Sequence, residues 1–239
     1  MGSNVLVSDE GFPGFVVRLE GEFLAVLIDG TRVKAGGGAA LGAVCAAAAR
    51  AGLSGLEAIS GIPSSIGGAV RINAGAYGGE IFQVLESVRL VSREGQARTA
   101  AAVGLAHGYR TSGLIETKEI VVWAVLALTR APREEIEAKT RTVAEKRRGA
   151  LPSEPNAGSV FRNPSGDYAG RLIESCGLKG TRRGGALISE RHANVIVNAG
   201  GATAGDVLFL MKEIRDRVRG QFGVTLVPEV ELLGIKWEQ

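Results

Sequence analysis

The sequence predicts an α+β protein of two domains, and three observations lead to this expectation. Strand-like and helix-like segments are mixed along the 239 residues, glycine supplies 35 of them, and the character of the chain changes after Ala131-Pro132. A chain of this length can bury most of its apolar surface. Since 45% of the residues are apolar and the glycines have no fixed period, disorder and collagen are excluded. The glycines indicate tight turns and backbone that approaches a ligand closely.

Apolar runs predict the strands of the first domain, at 14–19, 23–28, 31–35, 84–92, 96–101 and 119–129. Asp29-Gly30 and Glu94-Gly95 have the tolerance for left-handed backbone that tight hairpin turns need. Between them, an alanine-rich helix is predicted from Ala39 to Ala51, ended by Gly52 at its C′ position.

The second domain is predicted to begin with a polar helix from Arg133 to Arg148, which carries acidic residues early and basic residues late, as the helix dipole favours. We place the boundary near 130, which gives domains 1–130 and 131–239. Beyond the helix follow a Pro/Gly-rich stretch at 149–166, a short helix at about 168–176, a strand at 194–198, a helix that opens at Thr203 with Asp206 as its capping partner, and a final strand around Pro228.

Composition and charge favour a small anionic ligand over a nucleic acid. The net charge is +3, but only 5% of the residues are aromatic and no dense Lys/Arg run occurs. Cys45 and Cys176 lie far apart without CxxC spacing, which predicts two reduced thiols. The longest apolar run, Ile120 to Leu128, is too short to span a bilayer, and the N-terminus lacks the pattern of a signal peptide. We expect a cytoplasmic protein with no metal and no membrane or nucleic-acid partner.

The segment "SGIPSSIGGAVRINAGAYGGEI", residues 60–81, is the richest in glycine. Its small side chains leave successive backbone N–H groups uncovered, which favours an anion-binding nest. It matches neither the GxGxxG dinucleotide fingerprint nor the GxxxxGK[ST] P-loop. Taken alone, it is equally compatible with a packed irregular loop.

Five blocks of sequence together resemble the UDP-N-acetylenolpyruvoylglucosamine reductase family, the UDP-N-acetylmuramate dehydrogenases of peptidoglycan precursor synthesis. They occur in family order within residues 2–234. The blocks are "GLSGLEAISGIPSSIGGAVRINAGAYGGEI" (52–81), "GYRTSGL" (108–114), "NAGSVFRNP" (156–164), "AGRLIESCGLKGTRRGGALISERHANVIVNAGGATAGDVLFLM" (169–211) and "FGVTLVPEVELLG" (222–234).

The resemblance implies a FAD-binding domain of the vanillyl-alcohol-oxidase type, followed by a smaller α+β substrate-binding domain. It implies that NADPH reduces FAD and that a hydride then passes to the enolpyruvyl ether of UDP-N-acetylglucosamine enolpyruvate, which gives UDP-N-acetylmuramate. Hydride addition to the terminal vinyl carbon leaves negative charge on the adjacent carbon and its carboxylate. Such a site needs fixed positive charge there and a proton source on one face. A monomer is expected.

The resemblance also assigns the site residues. Arg110 is implied to supply the cation, Glu229 to complete the electrostatic clamp and Ser159 to deliver the proton, since an alcohol is an adequate acid for a strongly basic carbanion. Gly158 is expected to leave room beside Ser159. The implied substrate-binding residues are Tyr109, Arg110, Arg162 and Asn163. The implied cofactor-binding residues are Gly2, Ser3, Asn4, Gly61, Ile62, Pro63, Gly67, Gly68, Asn73, Ala74, Gly75 and Val121.

Other interpretations of these residues stay open. Without the resemblance, Ser159 is a turn or N-cap serine, Arg110 a surface ion-pair member and Glu229 a residue at a strand edge. His192 matches the family block, but a hydrogen-bonded packing role suits it better.

The start of the chain departs from the family pattern. "MGSNVLVSDEGFPG" resembles the glycine-rich GxGSN turn, while the strand–helix–strand unit that precedes this turn in the family is not in the sequence. That unit forms one wall of the FAD site, so we expect these 239 residues to purify mostly colourless. Two alternatives to an active reductase follow: a flavin-poor remnant that at most binds the UDP-sugar, or a flavin oxidase of the same fold that acts on another alcohol.

Overall fold

The computed structural model describes residues 2–237, and its contacts divide the chain into two compact units. The first unit spans Val17–Arg147, and the second combines Gly2–Val16 with the chain from Arg148 onward. The strands are β1 (Val5–Val7), β2 (Val26–Asp29), β3 (Arg32–Gly36), β4 (Leu53–Ser54), β5 (Gly75–Ala76), β6 (Gly79–Glu80), β7 (Leu85–Val91), β8 (Ala97–Ala101), β9 (His107–Gly108), β10 (Thr111–Ser112), β11 (Ile120–Ala127), β12 (Thr129–Arg130), β13 (Arg182–Arg183), β14 (Ala186–Ile188), β15 (Ile196–Asn198) and β16 (Glu231–Leu233). The helices are α1 (Leu41–Arg50), α2 (Ile66–Arg71), α3 (Leu114–Thr117), α4 (Arg133–Ala150), α5 (Ala169–Ser175) and α6 (Ala204–Phe222).

The first unit is built on a five-stranded antiparallel sheet in the order β2-β3-β11-β7-β8. Both predicted hairpin turns are confirmed, with Gly30 at φ +58° and Gly95 at φ +82°. Helices α1 and α2 bury Leu41 and Ile66 completely in the same core as Leu126 of β11. Helices α1 and α2 therefore cover the apolar face of the sheet.

Helix α2 lies against the sheet because Gly67 has no side chain. The Gly67 N–H donates to the Gly37 carbonyl at 2.8 Å. A Cβ atom on Gly67 would lie 3.0 Å from that oxygen and 3.2 Å from the carbonyl oxygen of Val121, which is closer than most real Cβ contacts. This glycine therefore serves the packing of the helix on β3 and β11.

The prediction of a strand at 14–19 is wrong. These residues are irregular, and Phe15 and Val16 are 98% and 78% exposed. Their apolar pattern suits a strand, but a strand also needs a partner for its backbone hydrogen bonds, and within residues 2–237 this segment pairs with none.

The second unit is a small α+β assembly in which the two ends of the described chain meet. Strand β1 pairs in parallel with β16, in the register Val5↔Glu231. The Asp9 carboxylate accepts hydrogen bonds from the Ala204 and Gly205 N–H groups, at 2.8 and 2.9 Å. These are the first N–H groups of α6, which lack partners within the helix.

The predicted capping box of α6 is confirmed. The Thr203 hydroxyl accepts from the Asp206 N–H at 3.0 Å, while the Asp206 carboxylate accepts from the Thr203 N–H at 3.2 Å. Helix α6 packs on α5 and on β14, and it buries Leu210, Ile214 and Val218. The hairpin of β13 and β14 is not among the strands predicted from the sequence.

The compact units do not coincide with the boundary predicted near 130. Residues 2–16 lie in the second unit because β1 pairs with β16. Most of α4 lies with the first unit, where Arg147 contacts Gly61. The final strand begins at Glu231, and Pro228 forms only an isolated bridge. None of the helices within residues 2–237 is both long and apolar enough to cross a membrane.

Candidate active site

Two of the predicted catalytic residues, Ser159 and Glu229, lie on paired backbone segments of the second unit. The Glu229 N–H donates to the carbonyl of Val160 at 2.8 Å, and Phe161 forms an antiparallel bridge with Pro228. Residues 70 positions apart in the sequence are thus brought next to each other by main-chain hydrogen bonds. The backbones that carry the serine hydroxyl and the carboxylate are therefore adjacent.

The backbone around Ser159 is fixed on both sides. Gly158 has φ +77°, which a side chain would disfavour, and its N–H donates to the Asn156 Oδ1 at 2.9 Å. On the other side, the buried Asn194 donates to the Phe161 carbonyl at 2.7 Å and accepts from the Phe161 N–H at 3.0 Å. Gly158 is thus required by the turn itself.

Ser159 and Asn163 open onto a cavity of about 420 Å³ within the second unit. Sequence reasoning missed several polar residues of its lining, since nothing in their spacing marks them. They are Tyr168, Arg171, Glu174 and Arg191, while His192 was assigned a packing role. The Arg171 guanidinium forms an ion pair with Asp167 and holds the pKa of that carboxyl at about 2.

Arg162 and Asn163 differ in the hydrogen bonds that their side chains form. The Asn163 Oδ1 accepts from the Ala169 N–H at 3.0 Å, at the start of α5. The Nε of Arg162 is buried and donates to no acceptor within residues 2–237. A buried donor without a partner is costly. It fits a ligand oxygen, such as that of a phosphate.

The surroundings of His192 favour the neutral imidazole. Its Nδ1 accepts from the Asn194 N–H at 3.3 Å. Burial lowers the pKa of His192 below its usual 6.5, Lys179 adds to this effect, and Glu174 opposes it. The hydrogen bond is consistent with the packing role expected from the sequence.

We therefore expect the free energy of unfolding to fall as the pH drops from about 7.5 to about 5.5, because the unfolded chain binds a proton near pH 6.5 that the folded unit resists. The His192 contribution is complete above pH 6.5 and is lost as the pH falls through the lower folded pKa. Urea unfolding at both pH values measures it. His192→Gln should flatten the dependence, and an unchanged slope in that variant would contradict the assignment.

Arg110 lies in the first unit, at the tip of the β9–β10 hairpin. Its Nη2 donates to the Gly75 carbonyl at 2.8 Å, and its guanidinium lies 5.1 Å from the centre of the half-exposed Tyr109 ring. Its backbone has φ +54°, in the left-handed region that residues with a Cβ rarely adopt. A strained residue of this kind is typical of functional sites.

The predicted cofactor residues of the glycine-rich loop also lie in the first unit. The Ile62 N–H donates to the Ile59 carbonyl, and the Gly68 N–H donates to the Ser65 hydroxyl. The N–H groups of Gly61 and Ser65 donate to no acceptor within residues 2–237. These two donors fit the predicted anion-binding role and the pyrophosphate of FAD.

A cation lies beside this loop. The Arg147 side chain is half-buried and lies so close to Gly61 that a Cβ there would be 2.6 Å from its Cδ. Burial lowers the pKa of Arg147, but an arginine keeps its charge. The loop therefore combines free N–H donors with a fixed positive charge.

The other predicted cofactor residues have different surroundings. Asn73 and Ala74 are buried, the carbonyl of Gly75 accepts from Arg110, and the carbonyl of Val121 faces Gly67. Pro63 follows the half-buried Ile62 in the loop.

Gly2, Ser3 and Asn4 belong to the second unit. Gly2 lines a cavity of about 370 Å³. The Asn4 side chain donates to the Glu229 carbonyl at 3.1 Å, and the Asn4 carbonyl accepts from the Glu231 N–H at 3.0 Å. Asn4 therefore holds the backbone of Glu229 in place.

Comparisons with known proteins identify the family that this chain resembles. The family model "FAD binding domain" matches residues 1–101, and the model "UDP-N-acetylenolpyruvoylglucosamine reductase, C-terminal domain" matches residues 151–233. The chain is 46% identical over 234 residues to UDP-N-acetylenolpyruvoylglucosamine reductase 2 of Symbiobacterium thermophilum, covering 98% of this chain and 76% of the relative. It is 44% identical to the reductase of Alkalilimnicola ehrlichii, with 98% and 78% coverage.

A solved structure is similar over nearly the whole chain. The crystal structure of UDP-N-acetylenolpyruvylglucosamine reductase from Thermus caldophilus superposes with a TM-score of 0.87 at 43% identity. The match covers 97% of this chain and 83% of that one.

Proposed function

The chain belongs to the UDP-N-acetylenolpyruvoylglucosamine reductase family, and on this premise we propose that it reduces UDP-N-acetylglucosamine enolpyruvate to UDP-N-acetylmuramate, with NADPH as the reductant and FAD as the cofactor. The fold class predicted from the sequence, a FAD-binding domain followed by an α+β domain, is confirmed. The observation that carries the proposal is the pairing of the Ser159 and Glu229 segments, together with the polar cavity onto which Ser159 opens.

Ser159 is proposed as the proton donor. After hydride addition to the vinyl carbon, the adjacent carbon carries negative charge and takes the hydroxyl proton. No base is needed beside the serine in the forward step, because the carbanion is basic enough to take the proton of an alcohol. The turn at Gly158 supports this role, since it fixes the backbone next to Ser159.

Arg110 and Glu229 are proposed to control the charge of the reacting group. The guanidinium of Arg110 pairs with the substrate carboxylate, into which the negative charge is delocalised. Glu229 is proposed to fix the orientation of the enolpyruvyl group. The backbone of Glu229 is held by hydrogen bonds to Asn4 and Val160. Tyr109, Arg162 and Asn163 are proposed to bind the rest of the substrate. The unpartnered Nε of Arg162 suits the diphosphate.

FAD supplies the hydride when it is bound. The Gly61 and Ser65 N–H groups, with Arg147 beside them, are proposed to bind its pyrophosphate. The Gly67 N–H and the Asn73 side chain form hydrogen bonds with protein atoms. These two residues are therefore proposed to support the backbone of the FAD site without contacting FAD through these groups.

We further propose a monomeric, cytoplasmic enzyme whose functional division follows residues 1–130 and 131–239. The two free thiols, Cys45 and Cys176, are in keeping with a reducing compartment. Burial raises the pKa of Cys45 to about 12, which leaves this thiol unreactive.

Ligand protection against heat tests the substrate class. UDP-N-acetylglucosamine enolpyruvate at about a hundred times its dissociation constant should stabilise the folded protein by about 2.7 kcal/mol, while a simple alcohol should have no effect. Melting curves with each ligand measure the difference. Arg162→Leu should reduce the shift, and the matched surface variant Arg182→Leu should retain it. Equal shifts with the UDP-sugar and the alcohol would contradict the proposal.

A further inference from the structure

The hairpin that carries Arg110 is tied to one short segment of the first unit. Its tip is formed by Tyr109 and Arg110, between β9 and β10. From the tip, the Arg110 Nη2 donates to the Gly75 carbonyl at 2.8 Å. From β10, the buried Ser112 hydroxyl donates to the Arg71 carbonyl at 2.6 Å. The end of α2 and the residues that follow it therefore anchor the hairpin.

Asn73 lies between Arg71 and Gly75 in the sequence, and its side-chain amide forms two further hydrogen bonds. It is completely buried. Its Nδ2 donates to the Gly108 carbonyl at 3.1 Å, and its Oδ1 accepts from the Phe82 N–H at 3.3 Å. The Phe82 ring stacks on His107 with 4.2 Å between ring centres. One amide thus fixes strand β9 directly and also through this aromatic contact.

The backbone of Asn73 does not by itself require an asparagine. Its φ of +46° ends helix α2 in the left-handed conformation, where glycine is the usual residue. The Ala74 N–H donates back to the Ala69 carbonyl at 2.8 Å, as such helix ends do. Asparagine tolerates this conformation less well than glycine. The two side-chain hydrogen bonds are therefore the physical reason for its presence.

Arg110 depends on this support because its own conformation is strained. Its φ of +54° persists only where the surrounding structure imposes it. The Gly108 carbonyl, two residues earlier, is the group that Asn73 holds at the start of the turn. If this carbonyl were free to rotate, the turn could relax and the guanidinium would move with it.

We propose that Asn73 is a positioning residue for the reductase reaction: it fixes the Gly108 peptide and so holds Arg110 in the conformation that meets the substrate carboxylate. This inference rests on the proposed role of Arg110. Because the Asn73 amide makes both hydrogen bonds inside the protein, we assign its side chain this positioning role instead of the cofactor contact that the family resemblance implies.

A double-mutant cycle with Asn73→Gly and Arg110→Ala tests the proposal in the FAD-loaded protein. Asn73→Gly suits the left-handed backbone and removes both hydrogen bonds. Because a small misplacement of a catalytic group costs about a hundredfold in rate, flavin reoxidation by the substrate should slow by about this factor. Flavin reduction by NADPH should stay nearly unchanged. In the Arg110→Ala background, Asn73→Gly should cause almost no further loss.

The substrate affinity of the same variants is also measured by calorimetry, which gives a second double-mutant cycle that does not depend on turnover. Losses that multiply in the double variant would overturn the positioning role, because Asn73 would then act independently of Arg110. An Arg110→Ala variant with native affinity and native reoxidation would instead contradict the proposed function. Ser92→Ala is the matched control, since it removes turn hydrogen bonds from the β7–β8 hairpin of the same unit. It should leave both readouts native.

Asn73→Asp keeps the shape of the side chain and makes the tie depend on pH. A protonated carboxyl can donate to the Gly108 carbonyl and accept from Phe82, whereas an ionised one cannot donate. Relative to the native protein, its substrate affinity should be close to normal at about pH 5 and weaker at about pH 8. A constant ratio across this range would contradict the proposed hydrogen bond. Near-UV circular dichroism checks that the variants are folded.

Discussion

Ser159→Ala should slow the reoxidation of reduced flavin by the enolpyruvyl substrate by about a thousandfold, the middle of the range for general acid catalysis. Flavin reduction by NADPH should stay nearly native, because no carbon is protonated in that half-reaction. The paired segments of Ser159 and Glu229 keep their backbone bonds in this variant, so the substrate should still bind. Stopped-flow absorbance of the FAD-loaded protein separates the two half-reactions.

Two further variants define the outcome for Ser159. Ser159→Cys should retain more reoxidation activity than the alanine variant, since a thiol can also donate a proton. Ser165→Ala, in the exposed part of the same loop, should behave as the native protein. Equal losses in both half-reactions of Ser159→Ala would indicate a structural serine and contradict the proposed role.

Glu229→Gln should reduce the reoxidation rate by about a hundredfold, because a reacting group that is no longer held in the correct orientation typically loses about this factor. The amide has the size of the carboxyl, and the backbone bonds of Glu229 to Val160 and Asn4 do not involve the side chain. The fold should therefore be preserved, and kcat should fall more than the substrate affinity. Single-turnover kinetics with calorimetry of substrate binding measure the two effects.

Glu231→Gln is the matched control for this experiment. It changes an exposed glutamate two positions along the same segment, in β16. Its kinetics should be native. If the two glutamine variants lost the same activity, the effect would come from the general charge of this segment, and the specific role of Glu229 would be excluded.

The sequence predicts those elements whose signals are local. Helix α6 could be placed because the capping box of Thr203 and Asp206 lies within four residues, and β2–β3 because Asp29-Gly30 suits a tight turn. The strand prediction at 14–19 failed because its outcome depends on a distant partner. The pairing of β1 with β16 could not be predicted for the same reason.

The candidate site shows the same limit. The family resemblance selects Ser159 and Glu229, and only the fold brings their segments together. Asn73 was predicted to bind the cofactor because the family resemblance implies this role. Its burial depends on a hairpin 35 positions away, which no local pattern reveals. The roles of Arg171 and Arg191 in the cavity lining were missed for this reason as well.

The pairing of β1 with β16 also bears on the order of events during protein synthesis. Asn4 and Glu229 are separated by 225 positions, so β1 leaves the ribosome long before its partner exists. The first unit, a continuous stretch from Val17 to Arg147, can fold in the meantime. During this interval the apolar strand Val5–Val7 has an unpaired edge, which exposes the nascent chain to wrong pairing or to capture by a chaperone. Closing this long loop is the slow step expected for the second unit, and it ends only when Glu231–Leu233 has been made.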